Sequence, residues 1–301
     1  MELKTHAARM LMRLSRWYLQ SSLTRLGKAA YWDRVCVPYL GWRKTELICR
    51  THFGARMSLR PCEFIQNRIL FFGTWEPHAT ALFHEVIRPG DVVIDVGANV
   101  GYYTLLAAHR VGRGGRVYAV EPAANTRRLL RQNLRLNGLN NVTVIAAAAW
   151  DEAAAGRLHL ADVNCGSSSL RALGAGEPVE EVSLVRLDDV ILAEDRSRVS
   201  LIKLDIEGAE AHALAGLSAT LAGNGRLRVI AEVNASMMLD FGSTPAALFD
   251  YMGGFGFRPY LIPNDYRVAA YLPPIRHLPV RPMEAPPEAP SYVLFSRTEP
   301  V

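Results

Sequence analysis

Between residues 91 and 146 the chain alternates short apolar runs with amphipathic stretches. Val92-Val93-Ile94-Asp95-Val96 leads into the turn Gly97-Ala98-Asn99-Val100-Gly101, and after a helical stretch Val117-Tyr118-Ala119-Val120 closes on Glu121. Apolar runs of this length, bounded by turns, suit strands buried on both faces, which a helix-covered parallel sheet provides. The spacing predicts strands at 91–96, 116–121 and 142–146, with helices at 100–110 and 124–137. Strands at 199–205, 227–233 and near 257–262 follow, with helices at 208–222 and 245–255. The expectation is an α/β fold, a mostly parallel Rossmann-like sheet with helices on both faces. In such sheets ligands bind beyond the carboxyl ends of the strands. Asp95, Glu121, Asp205 and Glu232 all fall within a residue or two of such ends.

A unit of strand, glycine turn, helix, strand and acid suits a ligand containing adenosine. The glycines let backbone approach it, and the acid can accept both ribose hydroxyls. A dinucleotide would require glycine at the second position of the turn, where backbone touches pyrophosphate. That position is Asn99, which disfavours an NAD-dependent oxidoreductase and suits a ligand without phosphates, such as S-adenosylmethionine. Transfer from a sulfonium needs an acceptor held in line. A hydroxyl acceptor also needs a base or a metal to take its proton.

At 301 residues, half of them hydrophobic, the chain can bury a full core. No run of about 18 apolar residues occurs, and Arg9, Arg13 and Arg16 interrupt the N-terminus, so a cytoplasmic protein is expected. Cys36, Cys49, Cys62 and Cys165 show no zinc spacing. Charge is local: residues 1–60 carry twelve Lys or Arg against Glu2, Asp33 and Glu46. Thirty of the 34 basic residues are arginine, a bias that a GC-rich genome alone produces, so no nucleic-acid partner is read from it.

The chain divides by pattern into an N-terminal basic helical and hairpin extension, 1–75, and a main domain, 76–301. From Leu3 to about Leu26 apolar residues recur at three and four with arginines between, an amphipathic basic helix. Such a helix serves either as an ordinary packed surface helix or as a peripheral contact of residues 1–30 with an anionic membrane or acidic partner. Residues 45–60 read as a hairpin around His52-Phe53-Gly54-Ala55, and 76–88 as a helix ending at Pro89-Gly90. Strands near 156–160 and 179–187 flank the polar loop Asn164–Ser169, placed to cover a ligand. A proline-rich stretch after residue 263 reads as an extended wrap, closed by a strand at Tyr292–Phe295. Trp75, Glu76 and His78 are placed to close over a pocket.

The sequence resembles the FkbM-type S-adenosylmethionine-dependent methyltransferase family. The resemblance rests on Pro89–Thr104, Val120-Glu121-Pro122 and Leu187-Asp188-Asp189-Val190, and above all on Lys203-Leu204-Asp205-Ile206-Glu207-Gly208-Ala209-Glu210 with Leu214 and Gly216. Asn164-x-Gly166-x-Ser168-Ser169 and Glu232 look like further family features, so about residues 70–235 are covered. It implies a class I methyltransferase fold with an antiparallel seventh strand, and O-methylation of a small molecule, often a sugar or a secondary metabolite.

By the same resemblance Asp95, Gly97, Asn99 and Gly101 line the methionine end of the cofactor, Glu121 binds the ribose and Asp151 lies near the adenine. Asp205 and Glu207 are the catalytic candidates. For Asp205 the alternative is a capping carboxylate for the helix starting at Gly208. Glu210 is expected to point along the helix, and Lys203, costly in an apolar strand, to be a salt-bridge partner. His84, His109 and His212 fall in helices, where packed or solvent-facing histidines are the ordinary reading. Asp205, Glu232 and Asn234 also resemble an oxygen-ligand Mg2+ site of catechol-type enzymes. The competing class is a non-catalytic binding module that keeps the cofactor fold and associates with a membrane or a partner.

Overall fold

In the computed structural model every residue is described except 1, 23, 42–44, 162–167, 172–175, 274–277 and 301. Asn164, Cys165, Gly166 and Ser167, four of the six residues of the expected covering loop, thus lie outside the described residues. The chain forms two compact units, one of Met1–Ala81 with Asn264–His277, the other of Leu82–Pro263 with Leu278–Val301.

The first unit holds the basic helix Glu2–Gln20, a short helix Lys28–Tyr31 running into a wide-turned helix Trp32–Leu40, a hairpin of strands β1 (Leu47–Arg50) and β2 (Arg56–Leu59), and the helix Phe64–Phe72. Its first helix is shorter than expected because the chain turns at Gln20. The fully buried Lys28 ammonium donates to the Leu19 and Ser21 carbonyls there, where exposed carbonyls favour a cation. Trp32 packs against Phe71 and Phe72 at ring distances of 5.4 and 4.7 Å. In the returning segment, Tyr266 and Asn264 donate to Glu76 at 2.8 and 3.4 Å. Trp75 lies 5.6 Å from the Tyr266 ring, so Trp75 and Glu76 are tied into this unit's own interior.

The second unit is built on an eight-stranded sheet. Its strands are β3 (Val92–Val96), β4 (Arg116–Val120), β5 (Val142–Ile145), β9 (Val199–Leu204), β10 (Arg228–Val233), β11 (Arg258–Ile262), β12 (Arg281–Pro282) and β13 (Ser291–Ser296). They lie in the order β12-β11-β13-β10-β9-β3-β4-β5. β5, β4, β3, β9 and β10 run parallel, and β13 is antiparallel between β10 and β11. This is the class I methyltransferase arrangement. β3 and β9 are buried along their whole length, which explains why they read as apolar runs broken by few polar residues, Asp95 in β3 and Ser200 and Lys203 in β9. The remaining strands, β6 (Ala148–Ala149), β7 (Ala154–His159) and β8 (Val179–Val185), form a small separate sheet.

The helix expected over 208–222 is two helices, Glu210–Ala215 and Ser218–Gly223. A Cβ on Gly216 would stand 2.0 Å from the Trp150 carbonyl oxygen, so backbone crosses backbone at that point. Asp188 then caps the second helix, accepting from the Ala219 N–H at 2.7 Å and the Thr220 hydroxyl at 2.6 Å.

Candidate functional site

The turn after β3 and the acid after β4 are one hydrogen-bonded assembly. The N–H groups of Gly97 and Ala98 both donate to the Val120 carbonyl at 3.0 Å. Asn99, at φ 50°, donates its N–H to Glu121 Oε2 at 2.9 Å, while Ala123 N–H meets Oε1 at 2.9 Å. Asparagine tolerates the left-handed region because its side chain bonds locally, and here Asn99 Oδ1 accepts from Val100 N–H at 2.7 Å. Burial pushes the Glu121 carboxyl up to about 7, although the Ala123 and Asn99 N–H groups and Arg127 pull the other way.

The turn also touches the acid-rich loop after β9. A Cβ on Gly97 would lie 2.1 Å from the Asp205 carbonyl oxygen, so glycine is obligatory where the two loops meet. Gly208, at φ 105°, is pinned likewise, since a Cβ there would lie 2.6 Å from the Met237 backbone. Between them Glu207 takes φ 58°, a conformation that costs a non-glycine residue free energy and concentrates at functional loops.

Asp95 and Lys203 face each other in register across β3 and β9. Asp95 is 1% exposed; its Oδ2 accepts from the Thr104 hydroxyl at 2.5 Å, and its Oδ1 has no hydrogen-bond partner among the described residues. Burial raises its carboxyl, with Lys203 and Thr104 opposing. Lys203 is buried as well, 4.9 Å over the Tyr103 ring, and its ammonium donates to Asp205 Oδ2 at 2.9 Å. The salt-bridge expectation for Lys203 matches this pairing.

Asp205 is not the cap of the following helix. Its Oδ2 accepts from Lys203 and from the Tyr292 hydroxyl at 2.8 Å, and Glu232 hydrogen-bonds the same carboxyl. Burial alone would raise Asp205, but the Lys203 charge and the bonds from Lys203, Tyr292 and Glu232 outweigh it and hold the carboxyl below its ordinary value. Contrary to expectation Glu210 turns back into the loop that precedes its helix, its Oε1 accepting from Ile206 and Gly208 N–H at 3.1 and 3.4 Å. Its buried Oε2 has no hydrogen-bond partner among the described residues, and burial pushes this carboxyl up to about 7.

The expected magnesium ligands do not fit an ion. Asp205 Oδ2 already carries an ammonium, and Asn234 Oδ1 is spent on the Ser236 hydroxyl at 2.9 Å and the Met237 N–H of the helix it caps. Among the described residues no cluster of three His, Cys, Asp or Glu could hold a metal. Asp151 pairs with His212 Nδ1 at 2.7 Å, while His212 Nε2 lies 3.0 Å from the Phe241 carbonyl and its ring stacks on Trp150 at 3.9 Å. His212 is a packed histidine that fixes Asp151 and Trp150.

Thr104, Tyr103 and Tyr292 belong to the site without having been singled out from the sequence. Thr104 stood inside the glycine-turn segment, whereas Tyr292 reaches Asp205 from 87 residues away, and only its register opposite Glu232 places it.

Among curated proteins, the chain is 34% identical to the 31-O-demethyl-FK506 methyltransferase FkbM of Streptomyces tacrolimicus, over 44% of this chain and 61% of that protein. It is 38% identical to a protein-L-isoaspartate O-methyltransferase of Ignicoccus hospitalis over 23% and 34% of the two chains. An rRNA methylase structure from Streptococcus thermophilus superposes with a TM-score of 0.41 at 14% identity, covering 75% of this chain and 98% of that one. Residues 95–259 match the methyltransferase FkbM domain, and the chain belongs to this family of S-adenosylmethionine-dependent methyltransferases.

Proposed function

We propose that the protein binds S-adenosylmethionine over the turn 97–101 and catalyses transfer of its methyl group to a hydroxyl oxygen of a small molecule, a sugar or secondary metabolite. The observation that carries the reading is the Asp205 carboxylate, held ionised by Lys203 and Tyr292 beside the glycine turn.

The residues fit the cofactor. The orphaned buried Oδ1 of Asp95 answers an ammonium donor, and Glu121, anchored by two backbone N–H groups, retains lone pairs for ribose hydroxyls. When bound, the sulfonium supplies an electrophilic methyl. Asp205 would orient the acceptor hydroxyl by accepting its hydrogen bond and would take its proton as the oxygen gains the methyl and the methyl–sulfur bond breaks. Glu207 is proposed to line the acceptor side of the same turn. Asp151, fixed by His212, is the proposed adenine contact. The relative named for 31-O-demethyl-FK506 supports oxygen as the acceptor atom. An enzymatic reading is favoured over a binding module because the chain belongs to a methyltransferase family and keeps Asp95, Glu121 and Asp205 at the strand ends.

Asp205→Asn tests the assignment. Turnover with a hydroxylated acceptor, found by screening for S-adenosylhomocysteine release, should fall by about 10²–10⁴, while cofactor affinity measured by calorimetry changes little. Full turnover in this variant removes Asp205 from the mechanism.

A further inference from the structure

The helix Glu2–Gln20 has two apolar faces. Successive helical residues turn by about 100°. Ala8, Met12, Ser15 and Leu19 therefore share one arc, and they are the buried ones. Met10, Leu14 and Trp17 share the opposite arc and are 62%, 56% and 66% exposed. On an ordinary surface helix that outer arc is polar. Arg9, Arg13 and Arg16 form a third arc on the flank between the two.

These arginines line a cavity of about 340 Å³ closed on its other side by Glu46 and the first strand of the hairpin, including Ile48, itself 56% exposed. Glu46 does not neutralise them, since its Oε1 accepts from Arg60 at 2.8 Å and its Oε2 from Ser58 at 3.2 Å. Arg16 donates through Nη2 to the Arg50 carbonyl at 3.0 Å, and its Nη1 is buried without a hydrogen-bond partner among the described residues. The cleft is thus a cationic pocket with a donor to spare, opening beside large exposed apolar side chains.

We propose that this face docks on an anionic phospholipid surface, with headgroup phosphates in the arginine cleft and Met10, Leu14 and Trp17 in the acyl boundary. A soluble anion would account for the arginines and leave the apolar stripe unexplained; an anionic lipid surface accounts for both. Indole at the edge of the apolar zone is where tryptophan partitions, and the excess of basic residues over 1–60 has the complementary sign. The contact is peripheral, because among the described residues no helix is long and apolar enough to cross a membrane.

The test is cosedimentation of the full chain with vesicles of phosphatidylcholine, alone or doped with phosphatidylserine. Binding is expected with the anionic vesicles only and should weaken as salt rises. Arg9→Gln with Arg13→Gln should weaken it by about 25-fold, roughly fivefold per cation. Met10→Ser with Trp17→Ser should reduce it while keeping the salt dependence. The lipid and salt dependence of the wild-type protein tests the proposal without any variant. Failure to bind anionic vesicles overturns it, as does equal binding to both vesicles. If inorganic phosphate raises the melting temperature of the wild type but not of Arg9→Gln/Arg13→Gln, and vesicles stay unbound, the cleft serves a soluble anion and the membrane assignment fails.

Discussion

Cofactor affinity should depend on pH through Glu121. In the free protein burial holds this carboxyl up at about 7, despite the N–H donors of Ala123 and Asn99. Ribose hydroxyls are donors and need the ionised form, so protonation competes with binding. The sign follows: affinity is full above pH 7 and falls as pH drops through it. For a group titrating near 7 the dissociation constant rises about twofold at pH 7 and about elevenfold at pH 6 relative to pH 8.5, the latter close to 1.4 kcal/mol. At pH 7 about half a proton should leave per cofactor bound. Calorimetric titrations with S-adenosylmethionine between pH 6 and 8.5, in buffers of differing ionisation enthalpy, measure both quantities. Glu121→Gln should abolish the pH dependence. It should also weaken binding at pH 8 by about 1.5–3 kcal/mol, because the amide cannot accept from two backbone N–H groups and two hydroxyls at once. A dissociation constant flat from pH 6 to 8, or a glutamine variant that still titrates, would refute the ribose assignment.

Four further outcomes follow from the same cluster. Glu210 is raised from 4.5 to about 7, so the stability it contributes is full below pH 4.5 and lost as pH rises through 7. Glu210→Gln should therefore stabilise the protein by about 3 kcal/mol at pH 8 and about 1.4 at pH 5.5, read from denaturant unfolding; no gain at pH 8 would contradict the burial argument. Lys203→Met strands Asp205 and should cost about 3–5 kcal/mol, with Lys203→Met/Asp205→Asn costing less than the sum of the single changes; additivity would mean the pair is not coupled. Tyr292→Phe removes one of the bonds holding Asp205 low, so the acid limb of kcat/KM should move to higher pH; an unmoved limb would exclude Tyr292 from tuning the site. Activity should survive EDTA, since the Asp205 oxygen carries an ammonium and Asn234 caps a helix; magnesium-restorable loss would revive a metal role.

The sheet was legible because its physics is local. Strands buried on both faces must be apolar throughout, and seven of the eight, all but the two-residue β12, stand within one residue of where the Val- and Ile-rich runs put them. Asp95 and Lys203 were conspicuous as charges inside such runs. What stayed hidden arises from contacts between distant segments. Gly216 breaks a helix because the Trp150 backbone crosses it. Asp188 caps a helix thirty-one residues away, and the segment 264–277 returns to the first unit. Glu210 turns back to the Ile206 and Gly208 N–H groups where it was expected to point along the helix, because which carboxylate meets the free N–H groups of the loop is not distinguished by spacing within one turn.

The charges of the site bear on why its acids titrate as they do. Asp95, Glu121, Asp205, Glu232 and Glu210 gather at the ends of adjoining strands or in the loops after them, and Lys203 is the ammonium that pairs with one of them directly. Asp205, which receives that ammonium, is held below its ordinary value, while Asp95, Glu121 and Glu210 are pushed up by burial that nearby cations do not offset. Such a site favours a ligand that brings positive charge and hydrogen-bond donors together. S-adenosylmethionine would bring an ammonium, a sulfonium and two ribose hydroxyls. On the proposed cofactor reading the elevated acids would act as a selectivity device: a neutral or anionic adenosine compound would leave Asp95 uncompensated. Competition at pH 8 should therefore rank adenosine well below the sulfonium cofactor, and Asp95→Asn should narrow that gap. A gap unchanged by the substitution would show that Asp95 does not read the ligand's charge.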